Sequence, residues 1–125
     1  GMSIPQIFAQ KGEPFFRDLE HQTARKLAGR SRCVIATGGQ VMAVPRNAAL
    51  FAEDSSLVVQ LEPGYPVCYQ RIKDSDRPLV TGNTPQQLEE IYRQRAALYQ
   101  AAADVQVDSG QDISQIVCTI CSLIK

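Results

Sequence analysis

The chain has 125 residues, 44% of them hydrophobic and 21% charged, the size and composition of one ordinary globular domain able to bury a core. Its 13 basic and 13 acidic side chains cancel, which argues against nucleic acid or an anionic membrane as partner, since both require a positive surface excess. No window approaches the roughly 18 uninterrupted apolar residues of a membrane span, and the N-terminus lacks a basic-then-apolar export signal, so a cytoplasmic location is expected.

Gly1 ahead of Met2 reads as the remnant of a cleaved expression tag, with Met2 as the start. Residues 3–10 have the spacing of a short helix. A second helix opens at Pro14, a residue suited to the first helical turn, and Gly29 is placed to end it. "RCVIAT", residues 32–37, is a continuous apolar run and predicts a strand covered on both faces; it runs into Gly38, Gly39 and Gln40. "VPRNAALFAED" predicts a helix entered through Pro45, and "LVVQLE" predicts a second buried strand at 57–61.

"YPVCYQRIK" reads as a helix giving way to a loop, "DSDRPLVTGN". Thr84 and Gln87 form a capping box with Pro85 at the first helical position, opening a long helix to about Ala103. "DVQVDS" is a third, shorter strand with visible alternation, and Asp112 with Gln115 caps a last helix. Strands separated by helices of this length imply parallel pairing, so the class is α/β with a three-layer parallel sheet. Ligands of such sheets bind beyond the carboxyl ends of the strands, which points to the segment after Thr37.

Cys118 and Cys121 have the spacing of a metal or redox half-site, but they lie in "DISQIVCTICSLIK", where apolar residues recur at helical spacing. A zinc site needs two more ligands, and the single histidine, His21, has no ligand partner beside it in sequence. Cys33, Cys68, Cys118 and Cys121 therefore read as buried, inert thiols, and no metal site is expected.

Gly38 and Gly39 either let a ligand approach the main-chain amides or simply form a tight turn with positive φ. Arg17 and Glu20, three apart on one helix, either orient a guanidinium for an anionic ligand or make an exposed ion pair of little energetic weight. Arg95 in "YRQRAALY" has the same two readings. Arg77 differs, because an arginine in a loop has no packing duty and can swing onto a phosphate.

In order, "SIPQIFAQKGEPFFRDLE", "VIATGGQ", "DRPL", "RAALY" and "ADVQVDS" resemble the shikimate kinases from Ser3 onward. The resemblance implies a nucleoside-monophosphate-kinase-like P-loop fold and transfer of the γ-phosphate of ATP, with Mg²⁺, to the 3-hydroxyl of shikimate in aromatic amino-acid (chorismate) biosynthesis. It implies that Arg17 holds the shikimate carboxylate with support from Glu20, and that Arg95 is the second substrate arginine. Gly38 and Gly39 would lie against the shikimate ring. Arg77 would be the arginine of a lid at about 73–84, and Arg71 a further nucleotide-side arginine.

Two departures from the family pattern stand out. The 125 residues contain no GxxxxGK[ST] segment, and no Asp-x-Asp precedes residue 32, where the family has both, so the chain reads as a partial kinase domain lacking an N-terminal β-α-β part and inactive by itself. Because the absent strand is central in the family, strands 32–37 and 57–61 are expected to pair directly, or the chain to form a homo-oligomer through unpaired strands. Gln40 replaces a third glycine, where its side chain either crowds the substrate or adds an amide to the pocket, and the local backbone should differ.

Two further functions fit the residues. One is a non-catalytic relative that binds a hydroxylated carboxylic acid or a partner chain. The other is a kinase of the same fold acting on a different small polar substrate such as gluconate, against which "FRDLE" with Arg95 argues.

Overall fold

The computed structural model describes residues 1–52 and 56–124. The chain divides into two compact units, residues 1–56 and 57–125, with nine elements among the described residues.

In the first unit, α1 (Ile4–Lys11) begins at a capping box in which the Ser3 hydroxyl accepts from the Gln6 amide and the Gln6 side chain accepts from the Ser3 amide. Gly12, at φ 83°, both ends α1 and starts α2 (Glu13–Ala28); that backbone angle suits glycine and strains other residues. Phe8 and Phe16 stack at 4.9 Å between ring centres, joining α1 to α2. α3 (Pro45–Ala52) packs on α2, and Ala24, Ala28, Ala43 and Phe51 form the buried apolar centre of this unit.

The second unit carries the sheet. β1 (Val59–Glu62) and β2 (Val105–Asp108) pair in parallel, Val59 opposite Val105 and Leu61 opposite Val107. Because side chains alternate along a strand, Val59, Leu61, Val105 and Val107 share one face, and Gln60, Glu62, Gln106 and Asp108 share the other. The crossover between them consists of α4 (Tyr65–Ile72), α5 (Pro78–Thr81) and α6 (Pro85–Ala102), the last entered through the Thr84–Gln87 capping box. α6 packs against β1, and α7 (Ile113–Leu123) against β2. Leu88 and Val107 are the buried apolar side chains of this unit.

Four expectations are corrected. Residues 32–37 form no strand: Val34 is 95% exposed and no ladder hydrogen bond is made there. Among the described residues the sheet therefore has two strands rather than three. The physical reason is that a strand has no internal hydrogen bonds, so an apolar run without a neighbour stays extended and unpaired. The segment "DSDRPLVTGN" is not all loop, because Pro78 starts the single helical turn α5, closed by the Gly82 amide donating to the Pro78 carbonyl at 2.9 Å. Asp112 caps α7 by accepting from the Ser114 amide, without a reciprocal bond from Gln115. Finally, Cys33, Cys118 and Cys121 are exposed and Cys68 is half-buried, so the four thiols are free but not the buried set expected. α7 buries none of its residues, which leaves Cys118 and Cys121 in solvent despite their apolar neighbours.

Candidate functional site

Arg17 sits in the second turn of α2, where carboxylates four residues before and three after lie on the same helical face. The Glu20 carboxylate accepts from Arg17 Nη1 at 2.6 Å, and Glu13 Oε1 accepts from Nη2 at 3.1 Å and from Nε at 3.3 Å. The Phe16 ring stands 5.4 Å from the guanidinium carbon. Burial alone would lower the Arg17 pKa, but the hydrogen bonds and charges of Glu20 and then Glu13 carry it above the ordinary value. The guanidinium is thus permanently charged and held in one orientation, the preparation that two-pronged carboxylate recognition requires.

Gly38 and Gly39 follow the extended segment and enter a turn in which the Val41 amide donates to the Gly38 carbonyl at 3.2 Å. A Cβ at Gly38 would meet nothing within 4 Å, so this glycine faces open space. Among the described residues the only non-glycine with positive φ is Arg32, at 57°; Gln40 is accommodated in ordinary backbone.

A polar network that the sequence did not reveal fixes this turn. Asn47, 2% exposed, donates through Nδ2 to the Val41 carbonyl at 2.9 Å and accepts at Oδ1 from His21 Nδ1 at 2.8 Å. One buried amide therefore ties the turn, α3 and α2 together, and Arg46 adds an ion pair to Asp18 at 3.1 Å. The Asn47 and His21 partners are 26 residues apart, a separation at which no sequence period gives a signal. Glu13, at the i−4 position from Arg17, is a second helical partner that spacing alone reveals.

In the second unit Arg71 and Arg95 come together on the wall of a cavity of about 290 Å³. It is framed by the aromatic residues Tyr65, Tyr69 and Tyr92 and by Leu79. Tyr65 contacts Tyr69 at 5.7 Å and Tyr92 at 5.6 Å, and its hydroxyl donates to the Pro85 carbonyl. Burial raises the Tyr99 pKa, partly offset by the nearby charge of Arg95. Arg71 reaches the Ser109 carbonyl at 3.5 Å, the limit of a hydrogen bond. Burial, then the Glu62 charge, pushes the Cys68 thiol pKa up, and Arg71 opposes this, so this cysteine is a protonated wall residue rather than a nucleophile. Arg77 is exposed at the start of α5, where its carbonyl caps that turn; it does not line the cavity, whereas Leu79, two residues on, does.

Residues 1–125 match the family model described as shikimate kinase. The shikimate kinase of Geobacter sulfurreducens is 38% identical over 128 residues, an alignment covering all of this chain and 70% of the relative; that of Streptococcus suis is 36% identical over 121 residues, covering 94% and 74%. The crystal structure of shikimate kinase from Aquifex aeolicus superposes with a TM-score of 0.83 at 30% identity, over 98% of this chain and 71% of that one. Shikimate kinase from Acinetobacter baumannii, in complex with shikimate, gives 0.79 at 29% identity, over 99% and 73%. The fold is accordingly that of the P-loop kinases, a class of α/β phosphotransferases. Within that class, with a match running the length of the sequence, the chain belongs to the shikimate kinase family.

That family uses ATP and Mg²⁺, and the residues described here do not by themselves fit the pair. The sequence has no GxxxxGK[ST] loop to cradle phosphates, and the described residues hold no cluster of three His, Cys, Asp or Glu side chains that could coordinate a metal. Arg71 is turned to a backbone carbonyl. Among the described residues no helix is long and apolar enough to cross a membrane.

Proposed function

We propose that this chain is a shikimate-binding protein in which Arg17, Glu20, Gly38 and Gly39 are the substrate residues of the first unit and Arg95 is a substrate residue of the second, and that these 125 residues transfer no phosphate by themselves. The observation carrying this reading is the Arg17 guanidinium, clamped by Glu20 at 2.6 Å and charged at any physiological pH. An arginine held this firmly matches the geometry of a carboxylate, and the related kinase from Acinetobacter baumannii was solved in complex with shikimate. Arg77 and Arg71 are the residues assigned to the nucleotide side, with 73–84 acting as a lid that brings Arg77 onto the transferring phosphate. A cytoplasmic setting, no nucleic-acid partner, and self-association through unpaired or swapped strands complete the proposal.

Calorimetry tests it. Shikimate should bind the chain, and Arg17→Ala or Arg95→Ala should weaken binding by about tenfold or more, the worth of a charge-assisted hydrogen bond pair. ATP with Mg²⁺ and shikimate should give no ADP. Absence of heat with the unaltered chain would refute the site, and steady ADP release would refute the inactivity.

A further inference from the structure

Arg17 is held by more carboxylate than a substrate arginine needs. A guanidinium offers a carboxylate two edges with paired donors, one formed by Nε and Nη2, the other by Nη1 and Nη2. Glu13 Oε1 takes both donors of the first edge, at 3.3 and 3.1 Å, and Glu20 takes Nη1 of the second at 2.6 Å. Two carboxylates on one guanidinium also leave a net negative charge facing an incoming anion. A ligand carboxylate can therefore take the Nε/Nη2 edge in two-pronged fashion only by displacing Glu13.

The geometry decides which one yields. The Glu20 side chain is 17% exposed and its bond is short, whereas that of Glu13 is 62% exposed with longer bonds at the very start of α2. Removing Glu20 from Arg17 would strand a half-buried charge, while Glu13 can turn into water at little cost. We propose that Glu13 is a positioning residue acting through Arg17 as an internal placeholder: it keeps the Nε/Nη2 edge aligned and gives that edge up to the carboxylate of the ligand. The inference rests on the reading that Arg17 receives the shikimate carboxylate.

Removing a competitor should tighten binding. An exposed ion pair has a small worth, so Glu13→Gln and the shorter Glu13→Asp should each lower the shikimate Kd about two- to fivefold, with Glu20→Gln raising it. A spectroscopic signature separates this from a merely structural role: the Arg17 Nε–H proton should exchange slowly in the unaltered chain, quickly in Glu13→Gln, and slowly again in Glu13→Gln saturated with shikimate. Circular dichroism confirms that each variant is folded. An unchanged or raised Kd in both Glu13 variants, measured while the unaltered chain binds shikimate, overturns the placeholder and leaves the substrate site standing. Rapid Nε–H exchange already present in the unaltered chain also overturns it. No heat with any variant sinks the shikimate reading itself and the placeholder with it.

Discussion

Residues 33–37, CVIAT, and residues 59–62, VQLE, pose the same question to a folding chain, and the more apolar of the two fails to become a strand. The second pairs residue by residue with 105–108, while the first joins no ladder and leaves Val34 95% exposed. Apolar and β-branched content describes what suits a strand, but a strand exists only where a neighbour takes its amides and carbonyls. Where the first unit is well held, helices and one buried amide do the holding, since a helix satisfies its own backbone. The comparison teaches that hydrophobicity sets eligibility for a sheet and pairing sets membership.

The largest effect is expected at the paired side. Val107, 3% exposed and opposite Leu61, should tolerate no charge: Val107→Asp is expected to cost about 3 kcal/mol or more, measured by urea denaturation followed by circular dichroism. A cost near zero would mean that the two-stranded sheet does not organise its unit. In the first unit the equivalent weight should rest on Asn47, where Asn47→Ala removes two hydrogen bonds and is expected to cost about 2 kcal/mol by the same measurement.

The cysteines sharpen the contrast through rates. Cys33, in the unpaired segment, is exposed, whereas Cys68 is half-buried with its pKa raised by burial and by Glu62. A raised thiol pKa means less thiolate at a given pH, so a disulfide reagent should label Cys33 severalfold faster than Cys68 near neutral pH, and the gap should narrow as pH rises. Equal rates, followed by mass spectrometry of peptides, would contradict the placement of Cys68. The smallest effect belongs to Val34. Val34→Thr should change stability by less than about 0.5 kcal/mol, and amides 33–37 should exchange with solvent well before those of 59–62.

How much was legible depended on the distance over which each feature is written. The helical spacing of residues 3–10, the Thr84–Gln87 capping box and the helix-opening Pro14, Pro45 and Pro85 are local signals, and each helix they announce is present. The Pro78 turn was missed because one turn of helix inside polar residues has no periodicity to detect. On the site, the Arg17–Glu20 spacing was readable from helical geometry, and the family resemblance is confirmed along the chain. Asn47 was not readable, since its meaning comes from His21 and Val41. The exposure of Cys118 and Cys121 went against expectation for a related reason: an apolar helix is buried only if another surface meets it, and α7 buries no residue.

What the sequence by itself determined is therefore the family, the helices with their ends, and the arginine with its helical partner Glu20, all set by contacts within four residues or by motif order. Tertiary structure alone decided which apolar runs became strands, which thiols were shielded, and that Arg71 and Arg95 line one cavity. The physical reason lies in the range of the forces. A helical turn closes its hydrogen bonds over four residues and can be read locally. A strand or a cavity wall is completed by residues tens of positions away, and its state depends on whether they arrive.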